Sequence, residues 1–193
     1  LLKIMERKDV LVVWPGLGSN PELENVIRAL LESWQGPLVL DADGLNHIGD
    51  RSRLQSIPEK VRRKWVFTPH PGELSRLLKV PAAEINANRM DTAWSAHQEL
   101  GVNLVLKGAP TIIAGDNRMY INSTGNPAMG TAGMGDVLTG IIGGLLAQGM
   151  DPFLAAAAGV YAHGRAGDHL SSRYGKRGII ASDMLKVIPL MLS

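Results

Sequence analysis

Residues 125–140 read GNPAMGTAGMGDVLTG and run directly into the apolar stretch IIGGLLAQGM. Glycine lets backbone amides approach a ligand closely, and the start of a helix adds free N–H groups and the positive end of the helix dipole. Gly133, Met134 and Gly135 thus have the makings of an anion cradle, which phosphoryl transfer needs where charge develops on the departing group. The next residue, Asp136, is out of place beside an anion unless it has a proton to take. A carboxylate there can act as general base toward an attacking hydroxyl. The alternative is a glycine-rich packing motif whose aspartate only caps a first turn.

Four shorter clusters carry compatible chemistry. WPGLGSNPE puts Gly16 and Gly18 in a turn ahead of a helix, but with no third glycine and no P-loop lysine it is a tight turn or a ligand contact in equal measure. LVLDADGLN sets Asp41 and Asp43 two residues apart, as magnesium-associated carboxylates or as a turn cap and a solvated charge. FTPHPGE fixes His70 between two prolines and puts Glu73 three residues on, on the same helix face. His70 can donate to a polar ligand and Glu73 can hold a magnesium-bound water; otherwise they are a structural histidine and a favourable first-turn charge. LVLKGAPT offers Lys107 as a point charge for phosphate, with Gly108 and Thr111 beside it, or a surface lysine. His47, His97, His163 and His169 lack metal-ligand spacing and read as structural.

The elements that must position these groups read as α/β. Short β-branched runs at 10–14, 37–41 and 65–68 alternate with helical patterns at 21–34 and 71–78, and 81–100 reads as one long amphipathic helix ended by Gly101. Each strand run ends in one of the clusters above, and ligands of open parallel sheets bind outside the carboxyl ends of strands. TIIA and RMYIN around GDN at 115–117 predict a hairpin, so the sheet turns antiparallel there. Residues 134–170 and 181–192 read as helical, and the run at 10–14 as a strand buried on both faces.

At 193 residues, with no repeat or linker, one domain over 1–193 is expected. A hydrophobic content of 45% against 20% charged residues excludes a disordered chain. A net charge of +2, and basic clusters at 62–64 and 173–177 without interleaved aromatics, give no argument for nucleic acid. The apolar windows are broken by glycine well short of the roughly 20 residues of a membrane span, so no membrane association is expected. The absence of cysteine fits a cytoplasmic setting.

PGLGSNPE, DADGLN, TPHPGE, KGAPT and GNPAMGTAGMGDVLTG, in that order over essentially the whole length, resemble the ADP- or ATP-dependent NAD(P)H-hydrate dehydratases of the ribokinase-like superfamily. The resemblance implies a three-layer α/β/α sandwich with a mostly parallel central sheet and an antiparallel edge hairpin. It implies phosphorylation of the hydroxyl of a hydrated nicotinamide ring (NADHX or NADPHX) by ADP or ATP with Mg2+, then loss of phosphate to restore NAD(P)H. Carried over by motif, Lys107, Gly108, Ala109, Pro110, Thr111 and Gly135 bind the nucleotide, Gly18, His70 and Asp136 face the hydrate, Asp136 is catalytic, and Glu73 is the magnesium-associated carboxylate. It also implies, as in some bacterial members, fusion to or pairing with an epimerase; a homo-oligomer is expected because the apolar run at 10–14 would otherwise present an edge or face needing cover. Family domains begin further upstream, so the N-terminal part of the domain is expected to be missing. The rival readings are a superfamily kinase for a vitamin-precursor alcohol and an adenine-nucleotide-binding module without turnover.

Overall fold

The computed structural model describes residues 5–13, 21–49 and 51–192. Among the described residues six strands form one sheet in sequence order: β1 (Leu11–Val13), β2 (Leu38–Leu40), β3 (Trp65–Phe67), β4 (Asn103–Leu106), β5 (Thr111–Gly115) and β6 (Arg118–Asn122). The β1–β4 pairs are parallel, while β4–β5 and β5–β6 are antiparallel. The hairpin between β5 and β6 turns on Asp116 and Asn117, both at positive φ, as the GDN signal requires.

Alternation along the strands divides the core in two. Leu38, Leu40, Trp65, Phe67, Leu104, Leu106 and Ile112 face one layer, and Val39, Val66, Val105 and Ile113 the other. The first layer holds α1 (Pro21–Ser33), α2 (Ala42–Asn46), α3 (Ser52–Gln55), α4 (Glu59–Arg62), α5 (Pro71–Leu78), α6 (Ala82–Ala87) and α7 (Arg89–Leu100). The second holds α8 (Met134–Ala147), α9 (Pro152–Tyr174), α10 (Ala181–Met184) and α11 (Ile188–Met191). This is the expected three-layer sandwich. Among the described residues no helix is long and apolar enough to cross a membrane.

Three expectations need correction. The helix expected over 81–100 is two, because Asn88 leaves helical geometry (φ −127°, ψ 47°) and closes α6 before α7 sets off along the sheet. The helical stretch expected over 181–192 is likewise two short helices; Pro189 fits a first turn but lacks the N–H that a helix interior needs. The strand expected to be buried on both faces is only half-buried, because β1 is an edge of the sheet among the described residues.

Candidate active site at the strand ends

The carboxyl ends of β2, β3 and β4 bring together groups that lie 66 residues apart in the chain. Asp41, one residue past β2, is buried to 1% exposure. A carboxylate so placed needs a counter-charge and hydrogen bonds. Lys107 Nζ, one residue past β4, donates to Asp41 Oδ1 at 2.6 Å. Thr139 Oγ1 of α8 lies 3.1 Å from Asp41 Oδ2 and 2.8 Å from the Gly135 carbonyl. Asp41 is thus neither a solvated charge nor a side-chain cap of α2. Asp43 follows in the first turn of α2, partly buried.

The same lysine reaches the loop after β3. Its Nζ is 3.8 Å from Glu73 Oε2, and its backbone N–H donates to the Pro69 carbonyl at 2.9 Å. His70 and Glu73 open α5 as a reciprocal cap: His70 Nδ1 accepts from the N–H groups of Gly72 (2.9 Å) and Glu73 (3.3 Å), while Glu73 Oε2 accepts from His70 N–H (2.7 Å). Pro71, whose missing N–H costs nothing in the first turn, presets the geometry. Because Nδ1 accepts from backbone amides, the neutral ring carries its proton on Nε2 and can donate there. That side chain is half-exposed, whereas Glu73 is buried. The structural reading of the pair is the one seen here, and the ring's Nε2 lies 3.3 Å from Glu73 Oε1.

Beyond Lys107 lies a cavity of about 740 Å³. One wall is the turn from Lys107 to Thr111, in which Thr111 Oγ1 donates to the Gly108 carbonyl at 2.9 Å and the Ala109–Pro110 bond is cis. Arg89, at the start of α7, braces the turn from behind: its Nη2 is shared among the carbonyls of Leu106, Lys107 and Pro110 at 3.1, 3.1 and 3.0 Å. The opposite wall is the segment from Asn122 to Gly130, including a 3₁₀ turn over Pro127–Met129. Met134, Gly135, Leu138, Val160, His163 and Gly164 also line the cavity.

Gly133 is the N-cap of α8 at φ 83°, a conformation that costs a side-chain-bearing residue, and it offers no capping side chain. The Met134 N–H donates to the Thr131 carbonyl at 3.4 Å, and with no capping side chain on Gly133 the N–H groups of Gly135 and Asp136 are left to serve an anion. A Cβ on Gly135 would stand 3.4 Å from Asp41 Oδ2 and 3.7 Å from Lys107 Nζ, so the helix start sits directly over the ion pair. Asp136 follows in the same turn, about 100° further round, exposed and outside the cavity lining. The fold thus gathers Lys107, Gly108, Ala109, Pro110, Thr111, Met134 and Gly135 around one cavity and sets His70, Glu73 and Asp136 beside it. Gly18 and its turn lie outside the described residues. Among the described residues no three His, Cys, Asp or Glu side chains form a metal cage.

Sequence reasoning missed four contributors. Thr139 and Arg89 act through partners distant in sequence, and Asp168 is tied to the cavity wall from α9. His163, read as structural for want of metal-ligand spacing, lines the cavity. Burial pushes its pKa down from the ordinary 6.5 to about 4, only partly offset by a hydrogen bond with the Met134 backbone. The ring is therefore neutral at ordinary pH, and among the described residues Lys107 is the cavity's one charged lining residue.

A family profile described as NAD(P)H-hydrate dehydratase matches residues 1–190. The chain is 45% identical to the bifunctional NAD(P)H-hydrate repair enzyme Nnr of Moorella thermoacetica over all 193 residues, which are 36% of that protein. It is 37% identical to the ADP-dependent (S)-NAD(P)H-hydrate dehydratase of Neisseria meningitidis, covering 94% of this chain and 62% of that one. The ADP/ATP-dependent NAD(P)H-hydrate dehydratase of Bacillus subtilis, co-crystallised with ATP and Mg2+, superposes with a TM-score of 0.82 at 30% identity, over 95% of this chain and 63% of that one. The chain thus spans 36% and 35% of the first two curated relatives it matches. The sandwich is ribokinase-like, and its strand-end motifs, capped histidine and glycine-started α8 belong to a chain that matches over nearly its full length. This chain belongs to the NAD(P)H-hydrate dehydratase family.

Proposed function

We propose that this chain uses ADP or ATP to dehydrate NADHX and NADPHX, returning NADH and NADPH. One observation carries the reading: the cavity bounded by 107–111 and Gly135 ends at the uncapped start of α8, and the next residue of that turn is the exposed carboxylate of Asp136. In this reading the nucleotide fills the cavity with its terminal phosphate at the α8 amides and Lys107. The hydrated ring lies on the other side, against Gly18, His70 and Asp136. Asp136 takes the hydroxyl proton as that oxygen attacks the terminal phosphorus, and the bond from phosphorus to the bridging oxygen breaks toward the nucleotide. Phosphate then leaves the ring carbon with its bonding pair, a ring proton is lost, and the double bond is restored. The α8 amides stabilise charge on the phosphoryl group throughout.

Magnesium fits as an ion held chiefly by phosphate oxygens and water. Asp41 and Glu73 would accept from its bound waters, since Glu73 Oε2 already accepts from His70 N–H and the two carboxylates share Lys107. It would neutralise phosphate charge. The names of the relatives support the substrate, and several are named bifunctional repair enzymes, which is compatible with the epimerase that the resemblance implies working alongside. A cytoplasmic setting and a homo-oligomer belong to the same reading.

The test is recovery of reduced-nicotinamide absorbance from hydrated NADH and NADPH, with ADP and ATP in parallel and phosphate release followed. Recovery with matching phosphate supports the proposal. A stable phosphorylated vitamin-precursor alcohol without hydrate turnover would assign the chain to a superfamily kinase activity. Nucleotide binding without phosphate release would make it a binding module.

A further inference from the structure

We infer that Asp168 of α9 is the positioning residue that sets the far wall of the cavity, and through it the affinity for the nucleotide. This rests on the cavity being the nucleotide site. The wall leaves β6 at Asn122, where Asn122 and Thr124 tie to each other, and from Gly125 to Gly130 it contains only one 3₁₀ turn, so that part takes its path from ties to α9. Asp168 does so twice over: its Oδ2 accepts from the N–H of Gly125 at 2.9 Å, and its Oδ1 accepts from Asn126 Nδ2 at 2.8 Å. Asn126 passes the constraint on, because its own Oδ1 accepts from the N–H of Ala128 at 3.0 Å and so caps the 3₁₀ turn. One carboxylate therefore governs a backbone amide, a side-chain amide and the turn beyond.

The face of α9 that carries Asp168 is built to receive this segment. Gly164, Gly167 and Asp168 share one side of the helix by their spacing. A Cβ on Gly164 would fall 2.7 Å from the Thr124 carbonyl carbon and 2.9 Å from Gly125 N, both backbone atoms that cannot give way cheaply. A Cβ on Gly167 would collide with the Met129 side chain at Sδ. Two glycines bring the segment down onto the helix and the aspartate fastens it. Thr124 Oγ1, 3.1 Å from the Tyr161 carbonyl, adds a neutral tie on the same helix.

Both acceptor oxygens of Asp168 face donors, so Asp168→Asn must put an amide NH₂ against either Gly125 N–H or Asn126 Nδ2 and lose one bond. The exchange Asn126→Asp with Asp168→Asn restores all three. Asn at 168 then accepts from Gly125 N–H and donates to Asp at 126, whose second oxygen still caps Ala128. We expect Asp168→Asn in the full chain to weaken ADP binding about tenfold, the loss of one charge-assisted hydrogen bond. The KM for ADP should rise more than kcat falls, amide exchange should speed up within 122–130, and the exchanged pair should return all of these toward the parent. ADP affinity within about twofold of the parent would overturn the inference, as would faster exchange spread over the whole chain with no rescue. If the parent itself fails to bind ADP, the reading of the cavity falls instead. Exchange in 122–130 then decides for or against the anchor by itself.

Discussion

On one side of Lys107 the walls are made of turns, glycines and uncharged polar and apolar side chains, and the one imidazole lining them among the described residues is held neutral. On the other side Asp41, His70, Glu73 and Asp136 crowd within two strand ends and the first turns of two helices. The first region comes from the antiparallel part of the sheet and the second from the parallel part. Shape and backbone donors recognise a ligand without needing a titrating group, whereas moving a proton during phosphoryl transfer needs an ionisable group placed at the reacting atom. Lys107 belongs to both regions, and so does the start of α8. In the proposed function binding falls on one side and chemistry on the other, and substitutions should separate the two.

Asp136→Asn should break the chemical side alone. The amide keeps the shape and loses the proton acceptor, so hydrate turnover should fall by about 10² to 10⁴ while ADP affinity stays within a few fold. Activity close to the parent's with intact binding would remove Asp136 as the base. Lys107→Ala should damage both sides and the fold as well. It leaves Asp41, at 1% exposure, with a buried unpaired charge, and the loss in denaturant-measured stability should be about 3–5 kcal/mol. Asp41→Asn combined with Lys107→Met should recover most of that stability without recovering turnover. A single variant as stable as the parent would show that Asp41 finds another partner.

That double role marks where the sequence stops being legible. The strands could be read because their β-branched runs alternate across two cores, and the turns because proline, glycine and the GDN triplet each have a local conformational meaning. The candidate site could be read to the same depth only as a set of short motifs at strand ends. What a local motif does not carry is the partner 66 residues away that makes Lys107 the counter-ion of Asp41 as well as a candidate phosphate contact. Arg89 bracing the 107–110 turn and Asp168 fastening Gly125 are invisible for the same reason. The break at Asn88 was missed because apolar spacing continues through it, although the backbone does not.

The binding side should reveal itself through pH. Since His163 has a folded pKa of about 4 against an ordinary 6.5, the unfolded chain takes up the proton first as pH falls. Stability from the neutral buried ring is thus fully present above pH 6.5 and drains away down to about 4, with a limiting size of about 3 kcal/mol. Replacing His163 by Gln should flatten that part of the stability profile, whatever it does to ADP binding. An unchanged slope between these values would place the acid sensitivity on other groups.

The smallest effect is expected where the two regions meet, at the glycines that start α8. Gly133 sits at φ 83°, and a Cβ there would stand 3.0 Å from Ala181 Cβ, so Gly133→Ala carries both backbone strain and a tight contact. The stability cost should be about 1–2 kcal/mol. Gly135→Ala differs in kind. Its Cβ would lie at ordinary contact distance from Asp41 and Lys107, within the helix, so the fold should hold and any loss should appear in ADP affinity. Thermal shifts with and without ADP separate the cases. Gly133→Ala should lower the unliganded midpoint, and Gly135→Ala should shrink the ADP-induced rise. If both variants lowered only the unliganded midpoint, the glycines would be serving the packing of α8 alone. The division between a binding side and a chemical side would then have to be drawn at Lys107 without the helix start.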